Sequence, residues 1–293
     1  MLKLNLRKIR YSNQGVAGIV VAILLIGLAI TAIGFVQSTY VPQWMEKKEA
    51  EHMDTVLNQY SQLKYAIDTI GLLKQKNSII TTPFTLGSKE MPFLSSIRSY
   101  GSLEIEPNNG KFFCVSTLDD KEEFFPFGNI CYSSKNGYHI NQNYIYENGA
   151  VILSQDKGER FLIKPDIFFE SDDQLCLNVI KLVPIGGKTS AGGYGTYPIQ
   201  TKFKDSYEQE IIEVNEIRMH SPYHSLWSKY IINILNENNI GHSQPIDEVD
   251  GEGNIIGFKI TFPNPSEPEE KSHLKVYLNV IEILCQISPG WVE

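Results

Sequence analysis

Residues 16–36, VAGIVVAILLIGLAITAIGFV, form an uninterrupted apolar run with no charge and Thr31 as its lone polar side chain. Coiled as a helix at about 1.5 Å per residue, the run reaches about 30 Å, the hydrocarbon thickness of a bilayer. A cleaved secretory signal would carry an apolar stretch of only about 7 to 15 residues, followed by a small-x-small cleavage site. Here the run is longer and passes through Gln37, Ser38 and Thr39 into Tyr40 and Trp44. The pattern predicts a transmembrane helix, and no second stretch of comparable length follows. Further on, Val56, Tyr60, Leu63, Ile67 and Ile70 recur at spacings of four and three, which places one apolar stripe along a helix face. Met53 extends the stripe backwards. The helix is therefore expected to continue to about Asn77, with a kink at Pro42, which lacks an amide proton and crowds the preceding turn. The stripe packs either on the chain's own globular part or on neighbouring copies as a coiled coil. Because the heptad pattern lasts little more than two repeats, packing within the chain is favoured.

After residue 84 the pattern changes to short β-like runs cut by Gly, Asn, Asp and Pro. Strands are expected at 101–106, 111–116, 144–146, 150–154, 160–164, 175–183, 195–203, 210–217, 255–262 and 274–287. Asn108-Asn109-Gly110 and Glu147-Asn148-Gly149 read as hairpin turns, because Asn and Gly tolerate positive φ. One late helix is announced by Ser221-Pro222, with Pro at the first helical position. It carries Leu226, Trp227, Tyr230, Ile231 and Ile234 at helical spacing and closes over 238–241. The expected class is α+β: a long N-terminal transmembrane helix continuing into a mostly antiparallel, β-sandwich-like extracellular domain with one late helix. The expected division is a basic head or leader at 1–15, the span at 16–36, its extracellular continuation at 37–77 and a β-rich domain at 78–210. Residues 211–293 form either a second subdomain or the completion of the first.

Charge adds an orientation. The net charge of -8, from 26 basic and 34 acidic side chains, conceals an asymmetry. Residues 1–36 carry Lys3, Arg7, Lys8 and Arg10 and no acid, a head of +4 that leaves 22 basic against 34 acidic residues, or -12, in the rest. Short basic flanks stay cytoplasmic, so the head is expected inside and everything after about residue 40 outside, at the cell membrane. Tyr11 suits the inner membrane interface, and Tyr40 and Trp44 the outer one. The acidic bulk argues against a nucleic-acid partner; the lipid bilayer is the partner expected on physical grounds.

Motifs with chemistry are few. Cys114, Cys131, Cys176 and Cys285 permit two disulfides in three connectivities if the domain is extracytoplasmic. A Cys114–Cys131 bridge is the preferred pair, since both lie in one local β unit, whereas Cys176 and Cys285 fall in apolar strands and read as buried thiols. No Cys-x-x-Cys or zinc spacing occurs. His220 and His224 are separated by Ser221-Pro222, which favours surface or capping roles over ligation. Asp247, Glu248, Asp250, Glu252 and Asn254 resemble half of a calcium loop, yet Ile255 stands where the loop needs Gly and Thr261 where it needs Glu. A solvated hairpin turn is the better account. Gly186-Gly187-Lys188-Thr189 lacks the first Gly of a phosphate loop, with Leu182 in its place, and reads as a loop between strands. With no nucleophile elbow either, no catalytic residue, cofactor or metal site is expected and the chain is not expected to be an enzyme.

The basic head, Gln14-Gly15, Val16-Ala17-Gly18-Ile19 and the apolar helix together resemble the N-terminus of archaellins and archaeal type IV pilin-like proteins. Tyr40-Val41-Pro42-Gln43-Trp44, Leu86-Gly87 leading to Gly101-Ser102-Leu103, Tyr146-Glu147-Asn148-Gly149, and Trp227 with Tyr230 are similar to features of archaeal surface proteins carrying that N-terminus. The resemblance implies a membrane peptidase that cuts between Gly15 and Val16, and a structural or adhesive role at the cell surface. It also implies pilin-like subunits or further copies of this chain as partners. Two positions depart from the family pattern: Val20 stands where bacterial type IV pilins have Glu, and Gln14 where archaellins have a charged residue. The alternative is a tethered extracytoplasmic binding or sensing module.

Overall fold

A computed structural model of the chain describes residues 14–88, 90, 98–107, 110–171, 173–262 and 274–288. Tyr11, the rest of the basic head, Asn108 and Asn109 of the first expected turn, and the connection at 265–270 lie outside the described residues. Helix α1 (Gln14–Phe35) runs through a π-helical turn (Val36–Tyr40) into helix α2 (Val41–Leu73). The disruption expected at Pro42 therefore takes the form of a widened turn in one continuous helix. Pro42 has no amide to offer the preceding turn, and the π turn accommodates this by closing Val41 N–H onto Val36 O, five residues back. The helix ends at Leu73, short of Asn77, because Lys74 turns left-handed (φ 50°) and its N–H closes onto Ile70 O at 3.0 Å.

The strands are β1 (Ile79–Thr85), β2 (Tyr100–Glu106), β3 (Phe112–Thr117), β4 (Glu122–Pro126), β5 (Asn129–Lys135) and β6 (Asn143–Glu147). They continue with β7 (Ala150–Gln155), β8 (Gly158–Ile163), β9 (Ile167–Ser171), β10 (Gln174–Pro184) and β11 (Ser190–Gly193). Last come β12 (Thr196–Ile211), β13 (Val214–His220), helix α3 (His224–Glu237), β14 (Ile246–Val249), β15 (Ile255–Thr261) and β16 (Lys275–Ile287). Among the described residues three sheets result, ordered β1-β12-β16-β10-β9, β11-β2-β5-β6-β7-β8 and β14-β15-β13-β3-β4. Among these strands all pairs are antiparallel except β10 with β16. Strands after residue 211 complete sheets begun before it, since β13 pairs with β3 and β16 lies between β12 and β10.

Several local expectations need correction. The expected strand 210–217 is two: Ile211 ends β12, Glu213 adopts φ 56°, and β13 begins at Val214. Pro222 precedes α3 instead of opening it. The Ser221 hydroxyl accepts Tyr223 N–H at 3.0 Å and the Ser221 carbonyl accepts His224 N–H at 3.1 Å, so a turn delays the helix. Strand β1 was not foreseen, because Thr-Thr-Pro reads as a break; Pro83 is tolerated there since β1 is an edge strand. The Asp250 hairpin turn and the Gly186-Gly187 loop fall as expected, the latter with both glycines at positive φ.

Two apolar cores hold the domain. In the first, Met53, Val56, Tyr60, Leu63, Ile67 and Ile70 of α2 pack on β2, β5, β6 and β7 on one side and on β10, β12 and β16 on the other. The second joins the opposite faces of β6, β7, β10 and β16 to the third sheet and to Trp227, Ile231 and Leu235 of α3. The α2 stripe thus packs on the chain's own domain. Alternation explains the division: Tyr144 and Tyr146 point into the first core and Ile145 into the second, so β6 is buried on both faces.

Candidate functional site

The apolar run and the domain meet at the base of α2. Every described side chain from Ala17 to Phe35 is exposed, whereas Val41 and Met45 are 4% and 0% exposed. One continuous helix, residues 17–73, is long and apolar enough in its first part to cross a membrane. Gly15 and Val16 lie in the first turn of α1. Tyr40 and Trp44 are both 43% exposed, and their rings stack at 5.9 Å just past the apolar run. These are the sequence-named interface residues, and they stand together on the helix surface.

A buried carboxylate fastens the domain to this helix. Glu49 is fully buried on the stripe between Met45 and Met53, and its oxygens accept the backbone N–H groups of Gly137, Tyr138 and His139 at 2.9, 2.8 and 2.7 Å. Three charge-assisted bonds in a water-poor site hold the β5–β6 connection on α2. Glu49→Ala is expected to cost about 2 to 4 kcal/mol, because the three amides lose their acceptor. Hydrogen exchange should show residues 137–139 opening first. One turn higher, His52 Nε2 lies 3.0 Å from the Tyr132 hydroxyl and 3.2 Å from Leu86 O, and the Tyr132 hydroxyl donates to Leu86 O at 2.7 Å. Burial holds the His52 pKa below its ordinary value, so the ring is neutral at neutral pH.

A second buried acid sits in the other core. Glu147 accepts the Ser221 hydroxyl and Trp227 Nε1–H, each at 2.6 Å, and its cross-strand neighbour Asn129 lies beside it with its own Oδ1 unpartnered. Burial, the dominant influence, raises the Glu147 pKa above its usual 4.5 despite those bonds. The folded chain therefore holds a proton that the unfolded chain releases, and stability falls as pH rises above about 4.5 through the window between the two values. Glu147→Gln keeps an acceptor for Ser221 and Trp227 without a charge. It is expected to flatten that fall and to unfold at a higher temperature than the native chain at pH 8, as melting curves at pH 4.5 and pH 8 would show.

At the far end of α2, the sheet containing β10 and β16 emerges from under the helix and leaves a groove of about 310 Å³. Its lining includes Asp68, Asp166, Asn178, Glu208 and Asn279, and it continues towards Phe168, Cys176 and Tyr277. Asn279 Nδ2–H donates to Asn178 Oδ1 at 3.0 Å across the parallel pair, and the Tyr277 hydroxyl donates to Glu208 at 2.6 Å. Lys64 spans Asp68 and Asp166 at 2.9 and 3.1 Å. Sequence reading passed over these residues. The available signal was that Cys176 and Asn178 occupy the same alternate positions as Ile180 and Leu182, so polar residues mark where that face leaves the core.

The expected Cys114–Cys131 disulfide is not formed. All four cysteines are free; Cys114 stands on β3 in one sheet and Cys131 on β5 in another. Nearness in sequence misled here, because Phe113 and Val115 face the second core, on which Cys131 packs, and Cys114 between them faces the opposite side of β3. Burial is the main cause that pushes the Cys114 thiol up to about 11 and the Cys285 thiol up to about 12. Native protein is expected to show slow reaction with a thiol reagent and denatured protein four titratable thiols. A count of two would restore a disulfide. Among the described residues no three His, Cys, Asp or Glu side chains converge as metal ligands. His220 Nε2 pairs with Glu248 at 2.6 Å, and its ring stacks on Phe112. No protein-family model, curated protein or solved structure matches the chain.

Proposed function

We propose that the chain is a single-pass, pilin-like cell-surface protein with a structural or adhesive, non-catalytic role. In this reading α1 lies in the bilayer, the basic N-terminus is cytoplasmic and the sandwich-like stack of sheets is displayed outside. The observation that carries it is the single helix from Gln14 to Leu73, whose first part is apolar and exposed and whose second part is the spine of the domain core. Anchor and domain thereby share one continuous helix, which ties the domain directly to the membrane segment in this reading. Mass spectrometry of the mature protein tests the reading. A chain beginning at Val16 supports pilin-type processing, whereas retention of residues 1–15 removes it. The second reading, a tethered binding module, is favoured by the groove, which stands at the end of α2 remote from the anchor. Retained residues 1–15 together with protease accessibility of the domain from outside the cell would support that reading.

A further inference from the structure

The length of free helix between the apolar run and the domain fixes how close the domain comes to the bilayer. Val36 ends the apolar run, and Val41, buried to 4% exposure, already belongs to the folded domain. Five residues rise by about 8 Å at most. The headgroup layer takes up about 5 to 8 Å on each side of the hydrocarbon. If α1 spans the membrane, no stalk separates the domain from the lipid surface.

One hairpin points to that surface. Strand β5 descends α2: Tyr60 donates to Ile130 O at 3.0 Å, Tyr132 meets His52 at 3.0 Å, and residues 137–139 meet Glu49. As the strand number rises, the helix number falls, so the β5–β6 connection sits at the membrane end of the helix. There Ile140 is 57% exposed and Tyr138 36% exposed. An exposed aliphatic side chain beside an exposed tyrosine is what an interfacial contact requires. The tip also presents no carboxylate. Residues 135–141, Lys-Asn-Gly-Tyr-His-Ile-Asn, contain no acid, although the chain beyond residue 36 carries -12, and the nearby Glu49 is buried and saturated by amides. Asn136 braces the tip: its side-chain Nδ2–H donates to Ile140 O at 2.8 Å and its backbone N–H donates to Asn141 Oδ1 at 2.8 Å.

We propose that the β5–β6 hairpin tip, through Tyr138 and Ile140, inserts into the headgroup layer of the bilayer as a second membrane contact, seating the domain directly on the lipid. The proposal rests on the anchor reading given under the proposed function. The test uses the full chain in phosphatidylcholine vesicles, spin-labelled through Ile140→Cys, with Leu25→Cys and Leu72→Cys as references and the labelled native chain as blank. Collision with oxygen and with a water-soluble nickel chelate is measured at each site. The expected result is severalfold less nickel access and more oxygen access at 140 than at 72, with 25 the most protected. Equal nickel access at 140 and 72, with 25 protected, overturns the hairpin contact and leaves the anchor standing. Nickel access at 25 equal to that at 72 overturns the anchor and the contact together.

Discussion

Replacing Leu25 and Leu28 together by arginine is expected to release the chain from membranes while leaving its domain folded. Both side chains are in the middle of the apolar run and more than half exposed, at 60% and 69%, in a stretch that the described residues do not bury. Leu, Ile, Val and Phe each favour insertion by about 0.3 to 0.6 kcal/mol at the helix centre, and the run carries enough of them to favour insertion by on the order of 5 kcal/mol. One central arginine costs about 2.5 to 3.5 kcal/mol, which leaves insertion favourable; two remove the balance. The single variants should therefore stay in the membrane pellet after alkaline extraction and the double variant should leave it. Domain integrity is checked by protection of the buried thiols, which lie far along the chain from both substitutions. A double variant that remains in the pellet would show that something other than α1 holds the protein there.

The division of the helix into an apolar, exposed half and a half that packs on the domain was legible because each half has its own pattern. An unbroken apolar run has no polar face, and the Val56 to Ile70 stripe has one apolar face at helical spacing. A strand with clean alternation, 101–106, was legible for the same reason, and 150–154 was legible as a short apolar run after a turn signal. The groove was not. Asn178 and Asn279 are 101 positions apart and face each other only because β10 and β16 pair in parallel, a long-range choice that no local pattern encodes. Glu49 was missed because one acid in a helix reads as surface. Its position four residues from both Met45 and Met53 was the signal that it lies on the buried face. Cys114 and Cys131 show the converse failure: Phe113 and Val115 face the core on which Cys131 packs, so Cys114 between them faces the other side of β3.

Gly101→Ala is expected to be among the most destabilising single methyl additions in the domain. Gly101, on β2, pairs with Ser134 of β5 and Gly193 of β11, which fixes its backbone from both sides. A Cβ built there would overlap Leu86 O and lie 2.7 Å from the Tyr132 hydroxyl. Neither atom is free to withdraw. Leu86 is held by its own N–H to Gly195 O at 2.9 Å, and its carbonyl accepts the Tyr132 hydroxyl at 2.7 Å. Tyr132 is fully buried, so moving its ring strips His52 and Leu86 of a partner in a site that water does not reach. Overpacking of about 1 to 3 kcal/mol adds to about 1 to 3 kcal/mol for unpaired polar groups, giving a loss on the order of 4 kcal/mol. That is a large fraction of the roughly 5 to 15 kcal/mol that holds a typical domain together. Gly71→Ala provides the contrast. Its Cβ would meet Ile281 Cδ1 at 2.9 Å, the far end of a flexible side chain, with the next atom at 3.6 Å. Alanine also favours the helix by about 1 kcal/mol over glycine, so that change should be close to neutral. Melting in one detergent should place Gly101→Ala on the order of 10 °C below the native chain and Gly71→Ala within a few degrees of it. Equal melting of Gly101→Ala and the native chain would mean that β2 and the Leu86 segment do not approach as closely as the pinned carbonyl requires.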